Sequence, residues 1–283
     1  KVDEFEICGP TQNIEYVDAY PLGENVLILT TLHQPKHLIL GHIVGPNGSI
    51  IKQDITLSET YSEVISPKLT ILPSGNVILT YIERDFSSKK VQVTAILLDN
   101  DLTLTKSVVL YSALEWIYKL DSLLLSTGNI MLAWTATSRM DPVSTKLSAI
   151  IINEDLEIVK AKFTLANMGT TQPTYPSLMT LQSGEILAIW DNTLAPGAQG
   201  TTLNAFGEVI RERVTLYNPK HPGEDRAKLV SLGNSKALII LMEAEGHFSN
   251  IVTQVVDEKF QQNMIPDLLG NIPNQVMYQE NPF

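Results

Sequence analysis

One cysteine, Cys8, in 283 residues excludes an internal disulfide and any site built on paired thiolates. A lone thiol of this kind reads as a small apolar residue of the interior. No apolar run approaches the roughly 18 residues of a spanning helix, so no membrane span is expected. Lys and Arg number 20 against 31 Asp and Glu, giving a net charge of −11, and no basic block stands out. Nucleic acid is therefore not an expected partner. Gly-rich phosphate cradles, nucleophile-elbow pentapeptides and Cys/His clusters are all missing. His33 and His37 have the spacing of a helical metal pair, but Pro35 lies between them and the accompanying Glu pattern is absent. Neither a metal nor any other cofactor is expected. A start at Lys1, with no Met and no apolar signal region, fits a mature secreted chain or a trimmed one.

The chain does have a repeat. Five stretches run extended and apolar, turn on Gly, Asn or Glu, and continue in a more apolar run. Four of them are Val17–Asn25, Lys68–Asn76, Asp121–Asn129 and Ser177–Glu185; a degenerate fifth is Lys228–Lys236. Their last residues stand 51, 53, 56 and 51 positions apart. A period near fifty without helical patterning predicts an all-β, five-bladed β-propeller of four-stranded antiparallel sheets. The units run over 12–59, 60–112, 113–167, 168–219 and 220–265 of a single domain, 1–283. Residues 1–11, which contain the strand-like Asp3–Ile7, are expected to close the last blade, and 266–283 form a tail. Third-to-fourth-strand turns fall at Pro46-Asn47-Gly48, Asp99-Asn100-Asp101, Asn153-Glu154-Asp155 and Asp257-Glu258-Lys259. Asn47-Gly48-Ser49 also fits a glycosylation acceptor but reads first as a hairpin turn.

The second strand of each unit is almost continuously apolar, as in Ile130–Trp134 and Ile186–Trp190, which predicts a strand covered on both faces by neighbouring blades. Tyr81, Trp134 and Trp190 recur five residues past the turn and are expected to pack between blades.

First strands of such a scaffold line a central channel. Aligning them superposes Asp18, Lys68, Asp121, Ser177 and Lys228, with Tyr16, Ser66, Lys119, Tyr175 and Arg226 two residues earlier on the same face. Loops between second and third strands bring Arg84, Asp85, Arg139 and Asp191 to the same mouth. The expected ligand-binding mouth thus comprises Tyr16, Asp18, Lys68, Arg84, Asp85 and Lys119, together with Asp121, Arg139, Tyr175, Asp191, Arg226 and Lys228. Mixed signs also allow the ring to be a plug of salt bridges, with Asp18 and Asp121 paired to Lys68 or Lys228.

Leu72-Pro73-Ser74-Gly75-Asn76, Leu125–Trp134 and Leu181–Trp190 resemble secreted and surface-associated propeller repeats of the form Leu-x-x-Gly-Asn-x-x-x-x-Trp. The resemblance implies a fold and a secreted or surface location rather than an activity. Sialidase Asp boxes and the double glycines of kelch repeats are missing. Resemblance to five-bladed glycosidases implies carboxylates at channel-lining positions of separate blades, which Asp18 and Asp121 occupy. With no catalytic signature in the loops, the leading expectation is a non-catalytic recognition module that binds a protein or glycan partner at its mouth. The alternative is a carbohydrate-active hydrolase using Asp18 and Asp121.

Overall fold

The computed structural model describes residues 14–33, 35–139, 144–169, 175–190, 198–216, 228–233, 236–245 and 248–257. They form five antiparallel sheets taken in chain order. The first contains β1 (Ile14–Leu22), β2 (Asn25–His33), β3 (His37–Val44) and β4 (Ile50–Thr60). The second contains β5 (Glu63–Ile71), β6 (Val77–Asp85), β7 (Lys90–Leu98) and β8 (Leu104–Ala113). β9 (Trp116–Leu124), β10 (Ile130–Thr137), β11 (Thr145–Ile152) and β12 (Ile158–Gly169) make the third. β13 (Ser177–Thr180), β14 (Ile186–Trp190), β15 (Gln199–Leu203) and β16 (Val209–Thr215) make the fourth. The fifth has three described strands, β17 (Lys228–Gly233), β18 (Lys236–Glu245) and β19 (Phe248–Asp257). First strands of successive sheets adjoin one another, and the fourth strands carry the exposed faces. This is the five-bladed propeller that the period predicts. The expected closing strand within 1–11, the tail at 266–283 and Cys8 lie outside the described residues.

The repeat's turn is one local structure used several times. Gly75, Gly128 and Gly184 each donate their N–H to the carbonyl three residues back at 2.9 Å, and take φ of 88°, 81° and 85°. Only glycine adopts that left-handed geometry without strain, which is why the repeat keeps it there. At the third-to-fourth turns Leu102 and Leu156 occupy the same region, at φ 65° and 63°. Their side chains are 3% and 2% exposed. Burying a leucine is worth about 2 kcal/mol, which offsets a left-handed cost of roughly 1–2 kcal/mol.

Continuous apolarity in the second strands has the expected cause. Every residue of β10 and β14 is buried, and β6 is buried from Val77 to Ile82. The recurring aromatics reach back onto the outer strand of the preceding blade. Tyr81 Oη meets Ser58 Oγ of β4 at 3.0 Å, and Trp134 packs on Tyr111 of β8 with ring centroids 5.4 Å apart. Trp190 shares a core with Leu165 and Met168 of β12. A second periodic device joins the rims: Lys106 Nζ donates to the Asp155 carbonyl at 2.6 Å, and Lys160 Nζ to the Phe206 carbonyl at 2.9 Å, each in the next blade's turn. Lys52 Nζ instead faces the side-chain carboxylate of Asp101, in the next blade's turn, at 3.8 Å.

One buried histidine makes the scaffold sensitive to pH. The His42 side chain is 1% exposed; its Nδ1 accepts the Asp54 N–H at 3.3 Å, so Nε2 carries the proton toward Thr30 Oγ1 at 2.9 Å. Burial lowers its pKa from the usual 6.5, with the Asp54 charge opposing. The unfolded chain then binds the proton more readily, so stability present above pH ~6.5 declines as pH falls through the lowered folded value. His37, lowered by burial and by stacked His33, adds to the same slope. Urea unfolding between pH 5 and 7.5 should show stability rising with pH, and His42→Gln should reduce that slope. An identical slope in the variant would assign the effect elsewhere.

Candidate functional site

Three first strands carry an extra residue at the same level. The register slips at Glu15 in β1, at Ser66-Pro67 in β5 and at Tyr118 in β9. Bulges bend a strand and re-aim its side chains, and here they lie at the end of the channel where the first strands begin. Ser66 also holds φ 49°, a strained value for a serine. The mouth opens into a cavity of about 740 Å³.

Seven of the expected mouth residues line it: Tyr16, Asp18, Lys68, Lys119, Asp121, Tyr175 and Lys228. Ser66 lines it too, although the bulge breaks the simple alternation that aligned it with the others. Arg84 and Arg139 stand on the rim, over the Trp116 ring at 5.4 and 4.2 Å. Asp85 is not in the lining. It closes the β6–β7 hairpin by accepting from the Ser87 N–H at 2.8 Å and from the hydroxyls of Ser87 and Ser88 at 2.6 and 2.5 Å. Those bonds to its anionic form lower its pKa and give it a turn-forming role. Asp191 and Arg226 lie outside the described residues, as do Asp141 and Pro142 of the neighbouring loops.

Asp18 is gripped from several sides. Its Oδ2 accepts from Tyr16 Oη at 2.8 Å, Tyr20 Oη at 3.1 Å and Lys68 Nζ at 2.9 Å, while Oδ1 accepts the Ala19 N–H at 3.0 Å. Burial alone would raise its pKa, but the Lys68 charge and these hydrogen bonds outweigh it and bring the carboxyl to about 2. Lys68 is raised in turn, since burial is overcome by Tyr20, Asp121 and Asp18 around it. Burial raises the Tyr16 and Tyr20 hydroxyls far above their usual range, so both stay protonated as donors.

Asp121 sits deeper and fares differently. Its Oδ2 accepts the Leu178 N–H at 2.8 Å, and it forms no ion pair among the described residues. Ser177 Oγ accepts the Leu229 N–H at 3.2 Å in the same manner. Each first strand is the inner edge of its sheet, so ring side chains of one blade satisfy the free edge N–H groups of the next. For Asp121 burial dominates and raises the pKa, with Lys68, the Leu178 N–H and Lys228 pulling weakly the other way. Burial and neighbouring Lys68 lower the Lys228 ammonium. One half of a salt-bridge plug is therefore present, Asp18 with Lys68, but the cavity above it is open and Asp121 is held by backbone instead.

Several rim features were outside the sequence reading. Glu63 bonds Arg84 Nη1 at 3.0 Å, and Arg84 Nη2 reaches the Ile117 carbonyl at 3.4 Å, tying blade two to blade three. Trp116 lies three residues before Lys119, just beyond the window that the repeat aligns. Glu15 approaches His33 at 3.3 Å. The described residues hold no cluster of three or more His, Cys, Asp or Glu side chains able to bind a metal ion, and no helix long and apolar enough to cross a membrane.

No protein-family model matches the chain. No curated protein matches it either. Solved structures do. A protein of unknown function from Dyadobacter fermentans superposes with a TM-score of 0.65 at 10% identity, covering 89% of this chain and 80% of that one. The GH93 α-L-arabinofuranosidase of Fusarium graminearum, in complex with arabinobiose, gives 0.62 at 13% identity over 82% of this chain and 72% of its own. A GH43_1 enzyme from Xanthomonas citri, complexed with xylotriose, gives 0.53 at 7% identity over 90% and 91%. At such identities the likeness establishes the propeller fold. It also corrects the expectation of a non-catalytic recognition module, because the similar propellers with a stated activity are mostly glycoside hydrolases. A protein as the partner finds no support among them.

Proposed function

We propose that the chain is a carbohydrate-active hydrolase that takes a glycan into this mouth and cleaves a glycosidic bond between Asp121 and Asp18. The observation that carries this reading is a single cavity holding two carboxyl groups with pKa values displaced in opposite directions, Asp121 upward and Asp18 down to about 2. Divergent carboxyl environments in one cleft are how glycosidases keep an acid and an anion side by side.

Asp121, whose burial favours the protonated form, donates its proton to the leaving glycosidic oxygen. Asp18 stays ionised and faces the positive charge that develops at the anomeric carbon. Water adds to that carbon, and its proton passes to the carboxylate. Asp18 Oδ2 is saturated by three donors, so Oδ1, with the Ala19 N–H as its single donor among the described residues, keeps room for the water. Lys68 holds Asp18 anionic and lies close enough to Asp121 to limit how far that pKa climbs. Nothing in this scheme needs a cofactor.

Aryl pentosides and hexosides that release a chromophore provide the test. The expected result is turnover of at least one class, with an acidic optimum, since activity requires protonated Asp121 and ionised Asp18. Asp18→Asn should lower that turnover by about 10²-fold or more, given the usual worth of a positioned acid–base group. A folded protein inactive on the whole panel and on natural arabinan, xylan and galactan would overturn the reading.

A further inference from the structure

Carboxylates hold two cations of this mouth, Lys68 on Asp18 and Arg84 on Glu63, whereas Lys119 and Arg139 are held by aromatic faces. Lys119 Nζ lies 4.3 Å from the Tyr175 ring centroid, and the Arg139 guanidinium 4.2 Å from that of Trp116. Arg84 shares the Trp116 ring at 5.4 Å and lies 5.9 Å from Phe86. A π face attracts a cation through its quadrupole and fixes the side chain without cancelling the charge. Glu63 neutralises Arg84 alone. Lys119, Lys228 and Arg139 form no ion pair among the described residues. Both guanidinium groups also keep a buried Nε–H with no acceptor among the described residues.

Bringing two guanidinium groups to one indole ring is costly in a protein that has a choice. The chain as a whole carries −11, so carboxylates to pair them are plentiful elsewhere. A concave, partly desolvated mouth lined by low-dielectric walls strengthens the field of such uncompensated charges. Their placement fits a ligand that brings the missing negative charges itself.

We propose that the glycan taken by this mouth is anionic, bearing carboxylate or sulfate groups that sit on Lys119, Lys228 and Arg139. The inference rests on the mouth being a glycan site, though not on hydrolysis. Lys119 and Lys228 lie in the cavity lining, and Arg139 extends the positive track outward along the rim from Trp116. Charge on alternate sugar units would then engage the interior and the rim together.

Calorimetry on the Asp121→Asn protein separates binding from turnover. The ligands are tetragalacturonate, its fully methyl-esterified form and a heparin tetrasaccharide. At low salt the acidic probe, carboxylated or sulfated, should bind at least about tenfold tighter than the neutral ester, and the advantage should shrink at higher ionic strength. The tighter of the two acids identifies the substituent. Lys119→Met and Arg139→Gln, each checked for an unchanged melting temperature, should weaken acidic binding about fivefold or more and leave the ester unaffected. Equal affinity for acid and ester, no binding of either acid, or folded variants with full acidic affinity would overturn the inference. Acid-blind binding alongside hydrolysis of neutral glycosides would sink this inference and leave the hydrolase reading standing. Acid-selective binding without any hydrolysis would do the reverse.

Discussion

Asp121→Asn should lose about 10²–10⁴-fold in hydrolysis while melting close to the wild-type temperature. The amide oxygen of Asn can still accept the Leu178 N–H that Asp121 receives at 2.8 Å, so the ring contact between blades three and four survives. What disappears is the proton. Burial makes the Asp121 carboxyl a reluctant anion, and a group with a raised folded pKa contributes stability that is fully present below the unfolded value and is lost as pH rises through the folded one. Removing its charge near neutrality therefore relieves a cost instead of imposing one. Asp121→Ala is the informative contrast. It strands the Leu178 N–H at an enclosed position, a loss of about 1–3 kcal/mol, and should both destabilise and inactivate. Rate measurements on both variants, with thermal unfolding alongside, separate the two roles. If Asp121→Asn kept wild-type turnover, Asp121 would be only a backbone cap and the proposed acid would be wrong.

The same position shows how far the sequence could be read. The repeat placed Asp18, Lys68, Asp121 and Lys228 at one level of one channel, and in blades two and three the turns at Gly75, Leu102, Gly128 and Leu156 follow its punctuation. Tyr81, Trp134 and Trp190 were identifiable as packing residues because burial on both faces leaves a continuous apolar run. The bulges were not legible. A bulge exists only relative to a partner strand, and nothing in Ile65-Ser66-Pro67-Lys68 says that Ile82 and Thr80 will frame it. Trp116 escaped for a related reason: it sits ahead of the aligned segment, and what assembles its site is Arg84 from another blade. Asp85 looked like a rim anion, yet Ser87 and Ser88 turn it inward on its own hairpin. The Lys52, Lys106 and Lys160 series was present at a regular step but needed the neighbouring turn to give it meaning. Function was the weakest reading, since no motif marks the mouth and the opposed environments of Asp18 and Asp121 appear only once the blades are assembled.

Trp134→Ala should cost roughly 3–5 kcal/mol, a large share of the about 5–15 kcal/mol that holds a domain folded. Trp134 is 0% exposed and is the largest side chain of the core shared by blades two and three, among Ile82, Val93 and Leu120. Truncation removes its buried area, leaves a cavity that rigid strands on both sides cannot close, and breaks the tilted contact with Tyr111 at 5.4 Å, itself worth about 1 kcal/mol. Trp134→Phe serves as the control. It keeps most of the volume and deletes an indole N–H that is buried without a partner among the described residues, so its cost should stay near 1–2 kcal/mol. Urea unfolding of the three proteins gives the comparison, and a cost below about 1.5 kcal/mol for the alanine variant would mean that the blades do not depend on this wedge. The effect extends to the mouth through the strand register. Trp134 pairs with Leu120 and Ala133 with Asp121, so the wedge that spaces blade three from blade two also spaces Asp121 from Lys68 and, through it, from Asp18. Even under conditions where Trp134→Ala remains folded, hydrolysis should fall by about tenfold or more, because a carboxyl displaced by an ångström no longer meets the glycosidic oxygen.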